Sequence, residues 1–231
     1  MPLTFAIREV LPATPRARIV RIELAGSPFP YLAGQAVLVG TSGGPKRPYS
    51  VAAAPEDARR DGCLELLVGV DGNGRPGPHL TLERGHMVDV EGPLGSFTFP
   101  RQPAEQRFVF IAGGTGIAPL RAMLHEAVAL PHKEIGLFYS ARTADEFAYE
   151  AEFRALARDG HIELRQTVTR DVDLAWDGPR GRIDRALLGP LVHDPLTLCF
   201  ICGPPALVAE MSHLLAEMGI SDSRIRVERW G

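Results

Sequence analysis

The chain has few cysteines and no long hydrophobic run, and these absences exclude several classes of protein. Its three cysteines, Cys63, Cys199 and Cys202, are too few and odd in number for a disulfide scaffold. No apolar run approaches the roughly 18 residues that a transmembrane helix needs. The N-terminal segment also lacks the features of a signal peptide. We therefore expect a soluble, cytoplasmic protein with no membrane partner.

An excess of charge of one sign is also missing. The net charge is -3 and the sequence pI is about 6.2, whereas nucleic-acid-binding domains usually carry a strong basic excess, so we expect no nucleic-acid partner. A local basic cluster lies near the N-terminus and comprises Arg8, Arg16, Arg18 and Arg21. It indicates either a surface for an acidic partner or the solvated faces of early strands.

The first hundred residues have the pattern of β structure. Short alternating or β-branched runs occur at residues 18–24, 36–39, 63–70 and 87–91, separated by stretches rich in glycine and proline. Many short strands punctuated by turns predict an antiparallel barrel or sandwich. A total of 231 residues suits two domains of about 100–130 residues each.

The pattern changes after about residue 105. Apolar runs that predict buried strands occur at residues 107–112, 135–139, 162–168, 196–202 and 224–228. Helical spacing occurs between them at 117–128, 146–158 and 206–218. Alternating strands and helices predict a parallel α/β sheet. A polar linker at 100–106 places the domain boundary between residues 103 and 104.

A glycine-rich loop lies between the strand at 107–112 and the helix that follows it. Glycines let a ligand approach the main chain closely, and a helix N-terminus attracts phosphate. A plain glycine-rich turn is the alternative. The context favours nucleotide phosphate binding by Gly113, Gly114, Thr115 and Gly116, although the GGTG spacing differs from the common GxGxxG fingerprint.

The tetrapeptide Arg47-Pro48-Tyr49-Ser50 lies in the β half of the chain. An arginine can pair with a pyrophosphate in bidentate fashion, a tyrosine can lie against a flat ring, and a serine hydroxyl can bond a ring nitrogen. Taken alone, such a tetrapeptide is more often a surface turn.

The segment Cys199-Phe200-Ile201-Cys202 contains a CxxC spacing that also occurs in redox dithiols and zinc sites. Residues three apart in a strand point to opposite faces, so the two sulfurs would not meet. No second cysteine pair completes a zinc site, and we expect no metal. We expect Cys199 in the core and Cys202 at the carboxyl end of a strand, where ligands bind in open α/β sheets.

The chain contains, in this order, the Gly34-Gln35 pair, the RPYS, GGTGIAP and CGPP motifs and an aromatic residue near the C-terminus. With these motifs it resembles the ferredoxin–NADP reductase-like family over nearly its whole length. The resemblance implies an antiparallel Greek-key barrel that binds FAD, residues 1–103. It also implies a parallel α/β domain, residues 104–231, that binds NAD(P)H and ends in a flavin-capping strand. The implied activity is hydride transfer from NAD(P)H to FAD, followed by electron transfer to a separate acceptor such as a ferredoxin or an oxygenase component.

The resemblance also assigns roles on the flavin side. Arg47 would contact the flavin pyrophosphate, Pro48 and Tyr49 would pack at the isoalloxazine, and Ser50 would bond near N5. Gly74 and Gly77 would belong to a second phosphate-binding loop. The family often has serine or threonine at Gly77 and serine at Ala53, and these departures leave FMN as an alternative cofactor, although backbone N–H groups could still bind FAD.

On the nucleotide side, the resemblance places Cys202, Gly203 and Pro204 beside the nicotinamide. Glu228 and Trp230 match an acidic and aromatic pair, in which the aromatic residue covers the flavin; a core plug is the alternative for Trp230. The candidate catalytic residues are Ser50, Cys202 and Glu228.

Three arginines match positions around the adenosine ribose, namely Arg142, Arg170 and Arg182. They favour NADPH over NADH because they suit a 2′-phosphate and no acidic residue is evident there. Two other functions remain open: a non-catalytic flavin- or nucleotide-binding subunit of a larger redox complex, and a free-flavin reductase without a dedicated partner.

Overall fold

The computed structural model describes residues 3–170 and 176–230. The strands of the N-terminal part are β1 Leu3–Thr14, β2 Ala17–Glu23, β3 Ala36–Thr41, β4 Arg47–Ser50, β5 Cys63–Gly69 and β6 Met87–Leu94, with helix α1 Pro55–Asp61 between β4 and β5. The C-terminal part contains β7 Arg107–Gly113, α2 Ile117–Ala129, β8 Glu134–Ala141, α3 Glu150–Arg158, β9 Glu163–Val168, α4 Arg185–Leu188, β10 Leu198–Gly203, α5 Pro205–Glu217 and β11 Ile225–Arg229.

The N-terminal strands form an antiparallel sheet in the order β4-β3-β6-β1-β2-β5. A bridge between Val51 and Leu66 joins the end of β4 to β5 and brings the two edges together. Because β6 lies between β3 and β1, strands distant in sequence are neighbours, as in a Greek key. The interior is aliphatic and includes Ile7, Ile22 and Val37. The prediction of an antiparallel barrel is confirmed.

Three elements of the barrel, β1, α1 and β4, were not expected from the sequence. Strand β1 carries Arg8, Glu9 and Pro12, which obscure its alternation. Helix α1 has only seven residues, begins at Pro55 and ends before Gly62, whose φ of 67° places it in the left-handed region. The tetrapeptide 47–50 is a strand, β4, and not the surface turn that it most often forms.

The C-terminal strands form a parallel sheet in the order β11-β10-β7-β8-β9, which confirms the predicted α/β domain. Because β7 and β10 are neighbours, the loops that follow them lie side by side. The approach is so close that a Cβ on Gly116 would lie 2.4 Å from the Cys202 carbonyl oxygen. The sheet therefore brings the GGTG and CGPP motifs to one place.

Helix α3 begins later than the sequence indicated. The helix expected over residues 146–158 starts at Glu150, after a 3₁₀ turn over Ala144–Glu146. Tyr149 precedes it with a φ of 59°, a left-handed conformation that interrupts a helical path. The periodicity of the sequence did not reveal this break because Tyr149 is held by distant contacts.

An aromatic cluster joins the two sheets. Phe97 and Phe99, which follow β6, pack against Phe108 of β7 and Phe200 of β10, with the Phe99 and Phe108 ring centroids 5.2 Å apart. A Cβ on Gly34 would lie 2.2 Å from the Met123 side chain, so the barrel and α2 are in close contact. Phe97 and Phe99 thus belong by sequence to the barrel but pack on the parallel sheet. The boundary between residues 103 and 104 stays a prediction.

Candidate active site

A cleft of about 750 Å³ lies at the carboxyl edge of the parallel sheet. The ends of β7, β8 and β10 and the first turns of α5 form most of its wall, and the barrel contributes Thr14, Arg16, Ala17 and Leu67. Open α/β sheets bind ligands at this edge. The cleft therefore lies where the two domains meet.

The GGTG loop forms one side of this cleft. Gly114 has a φ of 56°, and nothing lies within 4 Å of a Cβ placed there, so a ligand can approach the backbone. The Tyr139 hydroxyl donates to the Gly114 carbonyl oxygen at 3.1 Å and accepts from the Ala148 N–H at 3.2 Å. Tyr139, which no sequence motif singled out, thus holds the loop in place.

The three predicted ribose arginines, Arg142, Arg170 and Arg182, all line the cleft and are exposed. The Arg170 N–H donates to the Arg142 carbonyl oxygen at 2.8 Å, so the two residues lie together. Neither Arg142 nor Arg170 makes a side-chain ion pair with another described residue. Arg182 differs, because its guanidinium lies 3.3 Å from the carboxylate of Glu210 on α5.

Acidic side chains also line the cleft, namely Glu146 and Glu210. Helical spacing places Glu210 on the same face of α5 as Ala206, which also lines the cleft. The sequence could therefore in principle have identified Glu210 as a residue of the cleft. Glu146 pairs with Arg16 of the barrel at 3.2 Å and so links the two domains across the cleft.

The N-terminal arginines make separate contacts within the protein. Arg8 pairs with Glu23 at 3.6 Å, and Arg21 pairs with Glu9 and Glu65. Arg18 donates to backbone carbonyls in its own β-turn region. These side chains therefore have partners within the protein, while those of Arg8 and Arg21 stay partly exposed, at 49% and 39%.

The flavin motif lies on β4, with Arg47 and Pro48 exposed, Tyr49 half-buried and Ser50 buried. Among the described residues, Arg47 has no ion-pair partner. The Tyr49 hydroxyl and His79 Nε2 are 2.7 Å apart, and the two rings stack with centroids 6.0 Å apart. Burial raises the pKa of the Tyr49 phenol, against the effect of nearby Arg47. His79 carries no local sequence signal that would identify it as a partner of Tyr49.

The second phosphate loop has a backbone that favours glycine. Gly74 and Gly77 have φ values of 75° and 103°, which side chains rarely adopt. Glycine at position 77 therefore suits the backbone conformation of this loop. Pro76 and Pro78 have no N–H to donate, so the loop offers fewer backbone donors than expected.

A hydrogen-bonded chain links the domains beside these motifs. Ser50 Oγ donates to Glu228 Oε2 at 3.4 Å, and Trp230 Nε1 donates to the same oxygen at 2.7 Å. The Trp230 N–H donates to the Gly203 carbonyl oxygen at 3.0 Å. Burial raises the pKa of the Glu228 carboxyl, against the two side-chain hydrogen bonds, which lower it.

The two cysteines of the CxxC segment lie on opposite faces of β10, as predicted. Cys199 packs in the cluster on one face of the sheet and Cys202 in the cluster on the other. The Cys202 thiol is fully buried and does not line the cleft. Burial, together with nearby Glu228, raises the pKa of this thiol far above its ordinary range.

The donors that line the site are those that suit phosphate rather than a metal ion. In residues 3–170 and 176–230 there is no cluster of histidine, cysteine and acidic side chains that could hold a metal ion. No helix within those ranges has the length and apolar character needed to cross a membrane. The donors present are glycine-loop amides, unpaired arginines and hydroxyl groups, and this set fits phosphate-bearing cofactors.

Comparisons with known proteins agree with this geometry. Residues 110–213 match a family described as the oxidoreductase NAD-binding domain. Ferredoxin--NADP reductase B of Sorangium cellulosum is 33% identical over 245 residues, which cover 99% of this chain and 98% of that protein. Fold and site thus define an oxidoreductase that binds FAD and a pyridine nucleotide. The chain belongs to the ferredoxin–NADP reductase family.

Two further similar proteins match this chain over part of their own length, and a third matches it over nearly all of its length. One of the Na(+)-translocating NADH-quinone reductase subunits, from Klebsiella pneumoniae, is 32% identical over 162 residues, 65% of this chain and 39% of that one. The cytochrome P450 reductase of Amycolatopsis has a TM-score of 0.85 at 28% identity, covering 99% of this chain and 69% of that one. A ferredoxin NADP+ reductase of Neisseria gonorrhoeae with bound FAD and NADP superposes with a TM-score of 0.82 at 22% identity, over 99% and 98% of the two chains, and supports the fold.

Proposed function

We propose that this protein is a cytoplasmic, NADPH-preferring reductase that delivers electrons to a separate carrier protein of the ferredoxin or oxygenase-component class. The observation that carries the proposal is the Ser50–Glu228–Trp230 chain, which joins the flavin motif to the nucleotide domain. Bound FAD supplies a ring that takes up a hydride and releases its electrons one at a time.

On the flavin side, each residue of β4 has a separate task. Arg47 has no competing ion-pair partner among the described residues and binds the cofactor's pyrophosphate. Tyr49 presents its ring, and the His79 contact fixes the direction of its hydroxyl. Ser50 keeps its hydroxyl directed toward the Glu228 carboxylate. Gly74 and Gly77 give the second phosphate loop its turn.

On the nucleotide side, the amides from Gly113 to Gly116 at the start of α2 bind the diphosphate. Gly203 and Pro204 form the wall beside them. Cys202 acts by packing and positioning, because a thiol with a raised pKa stays protonated and cannot act as a base. Trp230 closes the site just after β11, where its indole N–H donates a hydrogen bond to the Glu228 carboxylate.

The preference for NADPH rests on Arg142 and Arg170. Both line the cleft, and neither side chain is engaged in an ion pair with a described residue, so both are available for a 2′-phosphate. Arg182 is held by Glu210 and contributes less. The Sorangium relative, named as a ferredoxin--NADP reductase, supports the same cofactor and the same class of acceptor.

Steady-state kinetics test both parts of the proposal. We expect kcat/KM to be higher with NADPH than with NADH, and we expect an added ferredoxin to be reduced faster than free FAD or FMN at equal concentration. A higher kcat/KM with NADH contradicts the cofactor assignment. Equal or faster turnover with free flavin contradicts the carrier-protein assignment.

A further inference from the structure

A cluster of charged side chains lies between the two domains and outside the cleft. It consists of Arg121 and His125 of α2, Glu152 of α3, Glu65 of β5 and Asp57 of α1, and we call it the interdomain cluster. The Arg121 and Glu65 side chains are only 13% and 7% exposed. Neither the flavin motif nor the glycine-rich loop includes any of these residues.

Arg121 is the centre of this cluster. Its Nη1 donates to the Ala52 carbonyl oxygen at 2.9 Å and to Glu65 Oε1 at 3.1 Å. Its Nε and Nη2 donate to the Glu152 carboxylate at 2.8 and 2.9 Å. The Ala52 N–H donates to the Glu65 carbonyl oxygen at 2.8 Å, which fixes the segment that Arg121 holds. One guanidinium thus binds α3, β5 and the backbone after β4 at once.

Tyr149 shows that the surrounding structure imposes this arrangement. The Arg121 guanidinium lies 4.4 Å from the Tyr149 ring centroid. Tyr149 has a left-handed φ of 59°, which is uncommon for a bulky residue. Such a conformation persists only where neighbouring contacts determine it. The contact with Arg121 is one of them.

The position of Arg121 in the sequence connects two motifs. Ala52 lies two residues after Ser50, and Arg121 lies five residues after Gly116, on the helix that the glycine-rich loop begins. The Arg121 side chain therefore connects the helix that follows the glycine-rich loop to the backbone that follows the flavin strand. A second contact of the same helix, Met123 against Gly34, also joins α2 to the barrel.

We propose that Arg121 is a positioning residue for hydride transfer, because its bond to the Ala52 carbonyl fixes the flavin strand relative to the glycine-rich loop. This inference rests on the proposed roles of Ser50 and of that loop. Stability alone is a weak reason for such a cluster, since apolar side chains often replace buried ion pairs without loss. Reaction rates are more sensitive, because a small misplacement of the reacting groups slows the reaction strongly.

The test compares wild-type protein with Arg121→Lys, which keeps the charge but loses the planar fork of donors. We expect the rate constant of flavin reduction by NADPH to fall on the order of tenfold, with FAD content and the Kd of NADP+ unchanged. Hydrogen–deuterium exchange should rise at amides 50–53 and 114–121. Arg154→Lys is the matched control, because Arg154 pairs with Glu150 on the exposed face of α3, and it should change neither readout.

Glu65→Gln is the second variant, should Arg121→Lys fail to fold. Its amide still accepts a hydrogen bond from Arg121 but carries no charge, so we expect a smaller change in the same direction in both readouts. A variant with a lower Tm but wild-type reduction rate and exchange overturns the inference. If wild-type flavin is not reduced by either nucleotide, the proposed function fails, and the exchange measurement still tests the link between the two segments.

Discussion

The carboxylate of Glu210 lies 3.3 Å from the guanidinium of Arg182, and both side chains face the nucleotide cleft. One of the three arginines that resemble a 2′-phosphate site is therefore already paired with an acidic group. Two arginines, Arg142 and Arg170, remain without such a partner among the described residues. We therefore expect the preference between NADPH and NADH to depend on Glu210.

Replacement of Glu210 by glutamine should strengthen the preference for NADPH. The change removes a negative charge near the proposed phosphate site and releases Arg182, so kcat/KM for NADPH should rise about threefold, the scale of an exposed ion pair, while that for NADH stays constant. Glu217→Gln is the control. Glu217 lies on the same helix as Glu210 and pairs with Arg185, but it does not line the cleft. A larger gain for NADH than for NADPH would show that Glu210 does not face the phosphate.

Removal of Arg142 should have the opposite effect. A charge-assisted hydrogen bond to a phosphate contributes about 1.5–3 kcal/mol, so Arg142→Ala should lower kcat/KM for NADPH by about tenfold or more and leave NADH nearly unaffected. The measurement is steady-state kinetics with both nucleotides. Equal losses for the two would place Arg142 against a part of the cofactor that they share.

Gly116 should not tolerate a side chain. A Cβ there would lie 2.4 Å from the Cys202 carbonyl oxygen, a backbone atom that cannot move aside. Overpacking of this kind typically costs about 1–3 kcal/mol. Gly116→Ala should therefore lower the free energy of unfolding, measured in urea, by about 1–3 kcal/mol or more. Gly72→Ala is the control, because nothing lies within 4 Å of a Cβ at that position. Equal stability of the two variants would contradict the close contact of the loops.

The stabilising effect of His125 should decrease as the pH rises. Its Nδ1 and Nε2 each lie 2.7 Å from a carboxylate, those of Asp57 and Glu152. Burial lowers the pKa of His125, but the bonds to Glu152 and Asp57 outweigh burial and raise the pKa above its ordinary 6.5. A raised pKa in the folded state means that this stabilisation is complete below pH 6.5 and is lost as the pH rises through the folded-state value.

Urea unfolding of wild-type protein and His125→Gln at several pH values tests this prediction. The difference in free energy of unfolding should be larger at pH 6 than at pH 9, because this stabilisation is complete below pH 6.5 and decreases as the pH rises. A difference that is constant or grows with pH would show that His125 is neutral in the folded protein. His193→Gln serves as control, because His193 is exposed and, among the described residues, its polar partners are the Pro190 carbonyl and, at 4.0 Å, the carboxylate of Glu134.

Those features that local pattern determines could be predicted from the sequence. The parallel sheet followed from buried runs such as that of β7, and the GGTG loop followed from glycines between a strand and a helix. The left-handed Tyr149 could not be predicted in the same way, because its contact with Arg121 is distant in sequence. Helix α1 has local signals, a proline at its start and Gly62 at its end, but only seven residues, too few to show a helical periodicity. Glu210 and Arg121 likewise acquire their importance only when the fold brings separate segments together.

Anaerobic stopped-flow absorbance decides whether this protein is an NADPH-dependent flavin reductase. Purified protein loaded with FAD is mixed with NADPH or NADH while the visible absorbance of the flavin is followed. We expect rapid bleaching, faster with NADPH, and slower bleaching when Ser50→Ala breaks the bond to Glu228. Protein that binds no FAD, or whose bound flavin neither nucleotide bleaches, would contradict the proposed function.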